Sequence, residues 1–169
     1  MQLLISAEVI HAKVLEVAAK INAEYAGEEL TIVMVLKGAL CLTADLMRAL
    51  KIPTSVEMIR ATSYGALGVH RGELTITGLE DLDIAGKNVL IVDDIFDSGN
   101  TLLKIVQRMQ EKKPKTLKTL VLLSKRVVRQ TSYIPDYVLF PIDPFFVVGY
   151  GLDYKEYYRG LPGIYNFEG

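Results

Sequence analysis

The chain has 169 residues, of which 50% are hydrophobic and 23% are charged, and its formal net charge is −1. This length and composition predict a globular protein with a single domain, residues 1–169, and they exclude a disordered chain. A net charge near zero supplies no long-range field for nucleic acid or anionic lipid, so any affinity for phosphate has to be built locally.

Apolar residues at helical spacing alternate with short apolar runs along the chain. The first predicted helix follows Ser6, a suitable N-cap, and runs to about Tyr25 because apolar side chains recur three and four residues apart. Glycine and proline interrupt the remaining segments. In chain order these are a strand at 31–36, a helix at 39–50, strands at 54–61 and 73–77, a strand that begins at 89, a helix at 101–109, and strands at 115–124, 138–141 and 145–148.

Helices that alternate with buried strands predict an α/β fold with a mostly parallel central sheet and helices on both faces. Two regions lie outside this pattern. Residues 62–72 contain three glycines and few apolar side chains, and we expect a flexible lid loop at about 62–76. The late short strands, within residues 125–169, predict a small hood over the carboxyl ends of the central strands.

Two further observations bear on the cellular compartment of the protein. Cys41 is the only cysteine, which excludes an internal disulfide and a zinc site of the usual spacing. No apolar run approaches the ~20 residues that span a bilayer, and the first residues lack a basic start. We therefore expect a cytoplasmic protein with no membrane partner.

Residues 89–102 combine a buried strand, three carboxylates and a small polar turn. The turn precedes a predicted helix, so its backbone N–H groups can converge on a phosphate at the helix N-terminus. Asp93 and Asp94 have a different predicted role from the turn. Carboxylates repel phosphate and instead accept hydrogen bonds from ribose hydroxyls or hold Mg²⁺. The phosphate-binding residues are Ser98, Gly99, Asn100 and Thr101.

This run resembles the phosphoribosyl pyrophosphate (PRPP) signature of type I phosphoribosyltransferases. In that signature a hydrophobic strand is followed by two acids, two hydrophobic residues, Asp, a hydroxyl residue, Gly and Thr. Asp93 stands where many relatives carry Glu, and Ser98 stands where Thr is commoner. Both departures keep the charge or the hydroxyl, although the shorter Asp93 leaves open whether its contact to ribose is direct.

Other blocks resemble the hypoxanthine-guanine branch of the family, which acts on 6-oxopurines. Lys37 and Gly38 match a pair that binds pyrophosphate through main-chain groups, often after a non-proline cis peptide bond. Ser63 and Tyr64 match the tip of the family's lid loop, which closes over the reacting sugar and excludes water. These matches imply that the pyrophosphate site and the lid flank the signature turn.

The block at 146–154 resembles the family's base pocket. The resemblance implies that Phe146 stacks on the purine and that the backbone of Val147 reads its Watson–Crick edge. It also implies that Asp153 binds a second Mg²⁺ on pyrophosphate and that Arg159 contacts the same group as a bidentate donor.

The resemblance assigns the chemistry on the base to Asp97 and Lys125. The matching Asp takes a proton from a purine ring nitrogen, and the matching Lys donates to the exocyclic oxygen. Considered alone, Asp97 also suits a turn-capping role. Nearby acids would raise the pKa of Asp97 whereas a metal or a lysine would lower it, so the direction stays open.

The resemblance runs from about Leu30 to Leu161 and implies a purine salvage enzyme. Such an enzyme converts PRPP and hypoxanthine or guanine to the nucleoside 5′-monophosphate and pyrophosphate, with Mg²⁺ as cofactor. It also implies a homodimer or homotetramer, with the first helices and the Lys37 region near an interface. Among other bases, Lys125 counts against adenine, whose amino group offers no acceptor, while xanthine stays open.

An alternative from a different class is a regulator that senses PRPP and binds RNA or DNA. The near-zero net charge and the lack of a basic stripe count against it.

Overall fold

The computed structural model describes residues 1–63, 74–129 and 131–167, with the side chain of Ser63 left out. Three helices and nine strands lie in these ranges. They are β1 (Gln2–Ile5), α1 (Ala7–Glu24), β2 (Leu30–Leu36), α2 (Leu40–Ala49), β3 (Thr54–Ser63), β4 (Leu74–Thr77), β5 (Asn88–Phe96), α3 (Asn100–Gln110), β6 (Thr116–Lys125), β7 (Tyr137–Ile142), β8 (Val147–Val148) and β9 (Ile164–Asn166).

The main sheet has six strands in the order β4-β3-β2-β5-β6-β7. All neighbouring pairs are parallel except β3 and β4, which are antiparallel. Alternate side chains of β2 enter two different cores, because successive strand residues point to opposite faces. Ile32 packs with α1 and α2, whereas Val33 packs with α3. Helices therefore cover both faces, which confirms the predicted fold class.

The first helix confirms the prediction made from its apolar spacing. The Ser6 hydroxyl accepts a hydrogen bond from the Val9 amide at 3.4 Å, so Ser6 is the N-cap. The buried residues of α1 lie on one face and pack against the main sheet and α2. They are Ile10, Val14, Val17, Ala18 and Ile21.

A second sheet joins the two ends of the chain in the order β1-β9-β8, with both pairs antiparallel. The sequence analysis missed β1 and β9, because each has four residues or fewer and neither shows a clear alternation. The strand predicted at 145–148 is too long, since only Val147 and Val148 pair with β9. Phe145 is instead in a turn, where its amide donates to the Asp143 carbonyl.

Both ends of the expected lid, at about 62–76, belong to paired strands. Thr62 pairs with Thr75, and Ser63 pairs with Leu74. The strand predicted at 73–77 is β4, whereas β3 extends two residues beyond its predicted end at 61. Tyr64 and the rest of the expected lid, 64–73, lie outside the described residues.

Within the described part of the chain, no helix combines the length and the apolar character needed to cross a membrane.

Candidate functional site

Several of the predicted site residues gather at the carboxyl edge of the main sheet, where β2, β5 and β6 end. A cavity of about 280 Å³ at this edge is lined by Lys37, Gly38, Asp93, Asp94, Thr101, Asp153 and Arg159, together with apolar side chains. A larger cavity of about 460 Å³ lies at the opposite, amino-terminal edge, and none of the predicted site residues lines it. The carboxyl edge is the place where open α/β sheets bind ligands.

Asp93 and Asp94 lie on β5 itself, so the strand extends beyond the apolar run that begins at 89. The strand continues to Phe96 because Phe96 still pairs with Ser124 of β6. Asp93 is buried, and its Oδ1 accepts the amide of Asp94 at 2.9 Å. The Ile95 amide donates in the same way to Asp94 Oδ1, at 2.7 Å.

The environment of this acid pair disfavours two negative charges. Burial and the neighbouring charge of Asp94 raise the pKa of Asp93 well above its ordinary value. Burial also raises the pKa of Asp94, although the Ile95 amide and the charge of Arg159 oppose that rise. A buried pair of this kind suits a bound cation, because the cation would compensate the charge.

No three His, Cys, Asp or Glu side chains of the described residues lie together as a metal cluster. Two carboxylates still fit Mg²⁺, which commonly takes one or two protein carboxylates and completes its shell with water and substrate phosphates. Asp153 lines the same cavity as the pair, and its Oδ1 lies 2.8 Å from Arg159 Nη2.

Gly38 follows the end of β2 and allows the closest approach in the site. A Cβ atom at Gly38 would lie 1.6 Å from Asp94 Oδ2, so a side chain there would displace that carboxylate. Gly151 approaches from the other side, where a Cβ atom would lie 2.3 Å from the Gly38 carbonyl oxygen. The Leu36–Lys37 peptide bond before Gly38 is cis, as the family resemblance implies.

The turn after β5 contains the residues predicted to form a phosphate cradle. Gly99 has a φ of 85° and is the N-cap residue of α3, a conformation that favours glycine. The Ser98 hydroxyl accepts the amide of Asn100 at 3.5 Å. A cavity of about 60 Å³ lies against this turn and is lined by residues 95–99, Thr101 and Leu102. The positive end of the α3 dipole therefore faces this small cavity.

Asp97 follows β5, Lys125 is the last residue of the neighbouring strand β6, and their side chains meet beside the turn. Lys125 Nζ lies 3.5 Å from Asp97 Oδ2, and the Lys125 side chain is 16% exposed whereas that of Asp97 is 55% exposed. The two side chains predicted to act on the purine therefore lie at the same place on the carboxyl edge of the sheet.

Arg129 supports this corner of the site, and the sequence analysis missed it. Its guanidinium donates to the Ser124 hydroxyl at 2.7 Å and to the Lys125 carbonyl at 3.0 Å. The same group lies 4.7 Å from the centroid of the Phe96 ring. Arg129 therefore connects the end of β6 to the end of β5. No local motif marks it, because its contacts depend on how the two strand ends sit in space.

The proposed base-stacking residue belongs to an exposed aromatic cluster. Phe146 is 51% exposed and makes edge contacts with Tyr154 and Phe167, whose ring centroids lie 5.8 and 6.0 Å away. Val147 is buried in β8. No sequence pattern predicted that Phe167 belongs to this cluster. Phe167 directly follows β9, and the position of that strand brings it to the cluster.

A mostly parallel sheet with a glycine turn, carboxylates and cationic side chains at its carboxyl edge is typical of a phosphate-binding protein of the open α/β class. The family model of the phosphoribosyl transferase domain matches residues 6–155. The chain therefore belongs to the phosphoribosyltransferase family.

Similar proteins match nearly the whole chain. A hypoxanthine-guanine phosphoribosyltransferase of Aquifex aeolicus is 42% identical over 169 residues, which cover 99% of this chain and 95% of the relative. A hypoxanthine-guanine phosphoribosyltransferase from Bacillus anthracis has a similar crystal structure, with a TM-score of 0.92, 40% identity and coverage of 99% and 98% of the two chains. The hypoxanthine phosphoribosyltransferase of Trypanosoma cruzi, in complex with the product IMP, gives a TM-score of 0.88, 37% identity and coverage of 98% and 93%.

The Gly38 contact predicts the effect of adding one methyl group. We expect Gly38→Ala to lower the free energy of unfolding by about 1–3 kcal/mol, because the Asp94 carboxylate has to move. Gly160→Ala is the matched control, since a Cβ atom there meets no atom within 4 Å. Urea unfolding measures both variants, and equal stability of the two would contradict the contact.

The raised pKa of Asp93 predicts a pH-dependent stability. The folded state holds this proton more tightly than the unfolded state does, so stability is lost as pH rises above the ordinary carboxyl value of 3.8. Without divalent metal, we expect Asp93→Asn to be more stable than the wild type at pH 8 by roughly 1–3 kcal/mol. The advantage should disappear near pH 4.

Urea titrations at the two pH values test this expectation, with the exposed Asp81→Asn as control. An Asp93→Asn variant that is no more stable than the wild type at pH 8 would contradict it.

Proposed function

We propose that this chain is a purine salvage enzyme of the cytoplasm that transfers the 5-phosphoribosyl group from PRPP to N9 of hypoxanthine or guanine. The products are the nucleoside 5′-monophosphate and pyrophosphate. The observation that carries the proposal is the meeting of the PRPP signature turn with the Lys125–Asp97 pair at one edge of the sheet. The names of the full-length relatives support the same reaction.

The chemistry on the base follows from the two side chains at the ends of β5 and β6. A 6-oxopurine presents an exocyclic oxygen and a ring nitrogen on one edge. The Lys125 ammonium donates to the oxygen and stabilises the negative charge that builds there, while Asp97 takes the proton from the ring nitrogen. Their separation of 3.5 Å lets both groups face that edge of the base. Phe146 offers an exposed ring on which the base stacks.

The chemistry on the sugar phosphate depends on charge. The backbone amides at Ser98–Thr101 bind the 5′-phosphate, and the main chain of Lys37–Gly38 and the Arg159 guanidinium bind pyrophosphate. The departing pyrophosphate leaves an oxocarbenium-like ribose, which N9 captures with inversion.

Mg²⁺ is the proposed cofactor, with Asp93 and Asp94 holding one ion near the ribose and Asp153 holding a second ion near pyrophosphate. When bound, the metal neutralises part of the pyrophosphate charge. The buried, hard-to-ionise acid pair on β5 is the feature of this chain that favours the first of these sites.

A panel of free bases tests the proposal. The protein is mixed with PRPP, Mg²⁺ and either hypoxanthine, guanine, xanthine or adenine, and nucleotide formation is followed by ultraviolet absorbance together with pyrophosphate release. We expect turnover with hypoxanthine or guanine and none with adenine. Binding of PRPP without pyrophosphate release on any base would favour the regulator over the enzyme.

If Asp97 is the general base, replacing its carboxylate with an amide should greatly lower the catalytic rate. We expect Asp97→Asn to lower kcat by ~10²–10⁴, the usual contribution of a positioned general base. Asp143→Asn is the control, because Asp143 is also an exposed aspartate paired with a cation, Arg126 at 3.2 Å, and has no proposed role. Steady-state kinetics measures both, and a loss below threefold in a folded Asp97→Asn variant removes Asp97 from this role.

We also propose that the chain forms a homodimer or homotetramer. The interface lies on the sheet face that α1 and α2 cover, at strand β3, which these helices leave exposed. Val56 and Met58 of β3 are exposed. They pair with Ile32 and Met34 of β2 and therefore lie on the same face of the sheet. Leu40 and Met47 are also exposed on α2. Together these apolar side chains favour burial against a second copy of the chain.

The proposed interface predicts that a charge within it lowers the oligomeric state. We expect Met58→Arg to shift the mass in sedimentation equilibrium towards the monomer, because the guanidinium would be buried without a partner. Ile134→Arg is the control, since Ile134 is 77% exposed and lies outside the proposed interface. An unchanged mass for Met58→Arg would place the interface elsewhere.

A further inference from the structure

One carboxylate outside the proposed catalytic set contacts two cations of the proposed pyrophosphate site. Glu156 Oε2 accepts a hydrogen bond from Lys37 Nζ at 2.8 Å. The same oxygen lies 3.4 Å from Arg159 Nη2. Lys37 ends β2 and Arg159 lies near the end of the chain, so Glu156 joins two segments that are distant in sequence.

The backbone around Glu156 holds the side chain in this position. Lys155, Glu156 and Tyr158 all have left-handed φ angles, of 51°, 71° and 73°. Such angles are uncommon outside glycine and persist where the surrounding structure determines them. Two hydrogen bonds between Tyr154 and Tyr157 close the turn, and the Glu156 amide donates to Asp153 Oδ2 at 2.8 Å. The turn therefore directs Glu156 towards the cations.

The contacts of Arg159 show what a phosphate oxygen would meet there. Its Nη1 donates to the Gly151 carbonyl at 2.7 Å. Its Nη2 is shared between the carboxylates of Asp153, at 2.8 Å, and Glu156, at 3.4 Å. The Nε group is buried and has no hydrogen-bond partner in the described part of the chain. A phosphate oxygen that uses Nη2 has to share that donor with Glu156 or replace it.

We propose that the Glu156 carboxylate is an internal competitor for the pyrophosphate group. This inference rests on the proposed function, since pyrophosphate is the ligand with which Glu156 competes. The carboxylate contacts Lys37 Nζ and Arg159 Nη2. Pyrophosphate can accept hydrogen bonds from these two groups only by displacing the carboxylate. Glu156 thereby weakens the binding of pyrophosphate and favours its release after transfer, while it keeps the two cations near their binding positions.

Isothermal titration calorimetry with sodium pyrophosphate and Mg²⁺ tests this inference. We expect Glu156→Gln to bind pyrophosphate about threefold to tenfold more tightly than the wild type, because two partly exposed ion pairs are removed. Glu156→Asp keeps the charge, and we expect it to return the affinity towards that of the wild type.

Glu16→Gln is the matched control. Glu16 is also an exposed carboxylate shared by two cations, Lys13 and Lys20, each at 3.0 Å, but it lies on α1 away from the site. We expect its pyrophosphate affinity to equal that of the wild type. Thermal melting of each variant shows whether it is folded before titration.

Two results would overturn the inference. Unchanged binding in Glu156→Gln would mean that the carboxylate does not compete, and weaker binding would mean that Glu156 positions the cations for the ligand. Both are distinguishable from failure of the proposed function. In that case the wild type would release no pyrophosphate from PRPP with any of the bases, a result that the base panel measures separately from the titrations.

Discussion

The whole site depends on the close approach of β2 and β5 at their carboxyl ends. A Cβ atom at Gly38 would lie 1.6 Å from the Asp94 carboxylate, so the contact exists only because residue 38 has no side chain. Gly151 of the C-terminal region in turn approaches the Gly38 carbonyl. Three segments that are far apart in sequence thus meet at one point. The acid pair, the Lys37–Gly38 main chain and Arg159 take their relative positions from this packing.

The electrostatics of the site explain how a nearly neutral chain can handle a highly charged substrate. Charge is concentrated locally, with two acids in the interior at the end of β5 and cations on the neighbouring segments. Burial makes the acids hard to ionise together, which is unfavourable for stability but suits a site that receives a divalent cation. Ion pairs among the remaining side chains, such as Arg159 with Asp153, hold the cations in place.

In the proposed function, the base and the sugar phosphate are recognised by different elements. The turn between β5 and α3 is the proposed phosphate site. Lys125 at the end of β6 and the aromatic cluster around Phe146 are the proposed base site. Arg129 connects the two halves through Ser124 and Phe96. Since the second sheet pairs β1 with β9, the position of the aromatic cluster also depends on both ends of the chain.

The sequence by itself determined the fold class and most members of the site. Periodic apolar spacing located α1 with its cap at Ser6, and the run from 89 to 102 carries its chemistry in consecutive residues. Only the tertiary structure decided how far β5 extends, because pairing with β6 keeps Asp93 and Asp94 in the strand. It alone revealed β1, β9 and the bond between Glu156 and Lys37. Contacts between residues more than a hundred positions apart leave no local pattern, and short strands are stabilised by their partners rather than by their own sequence.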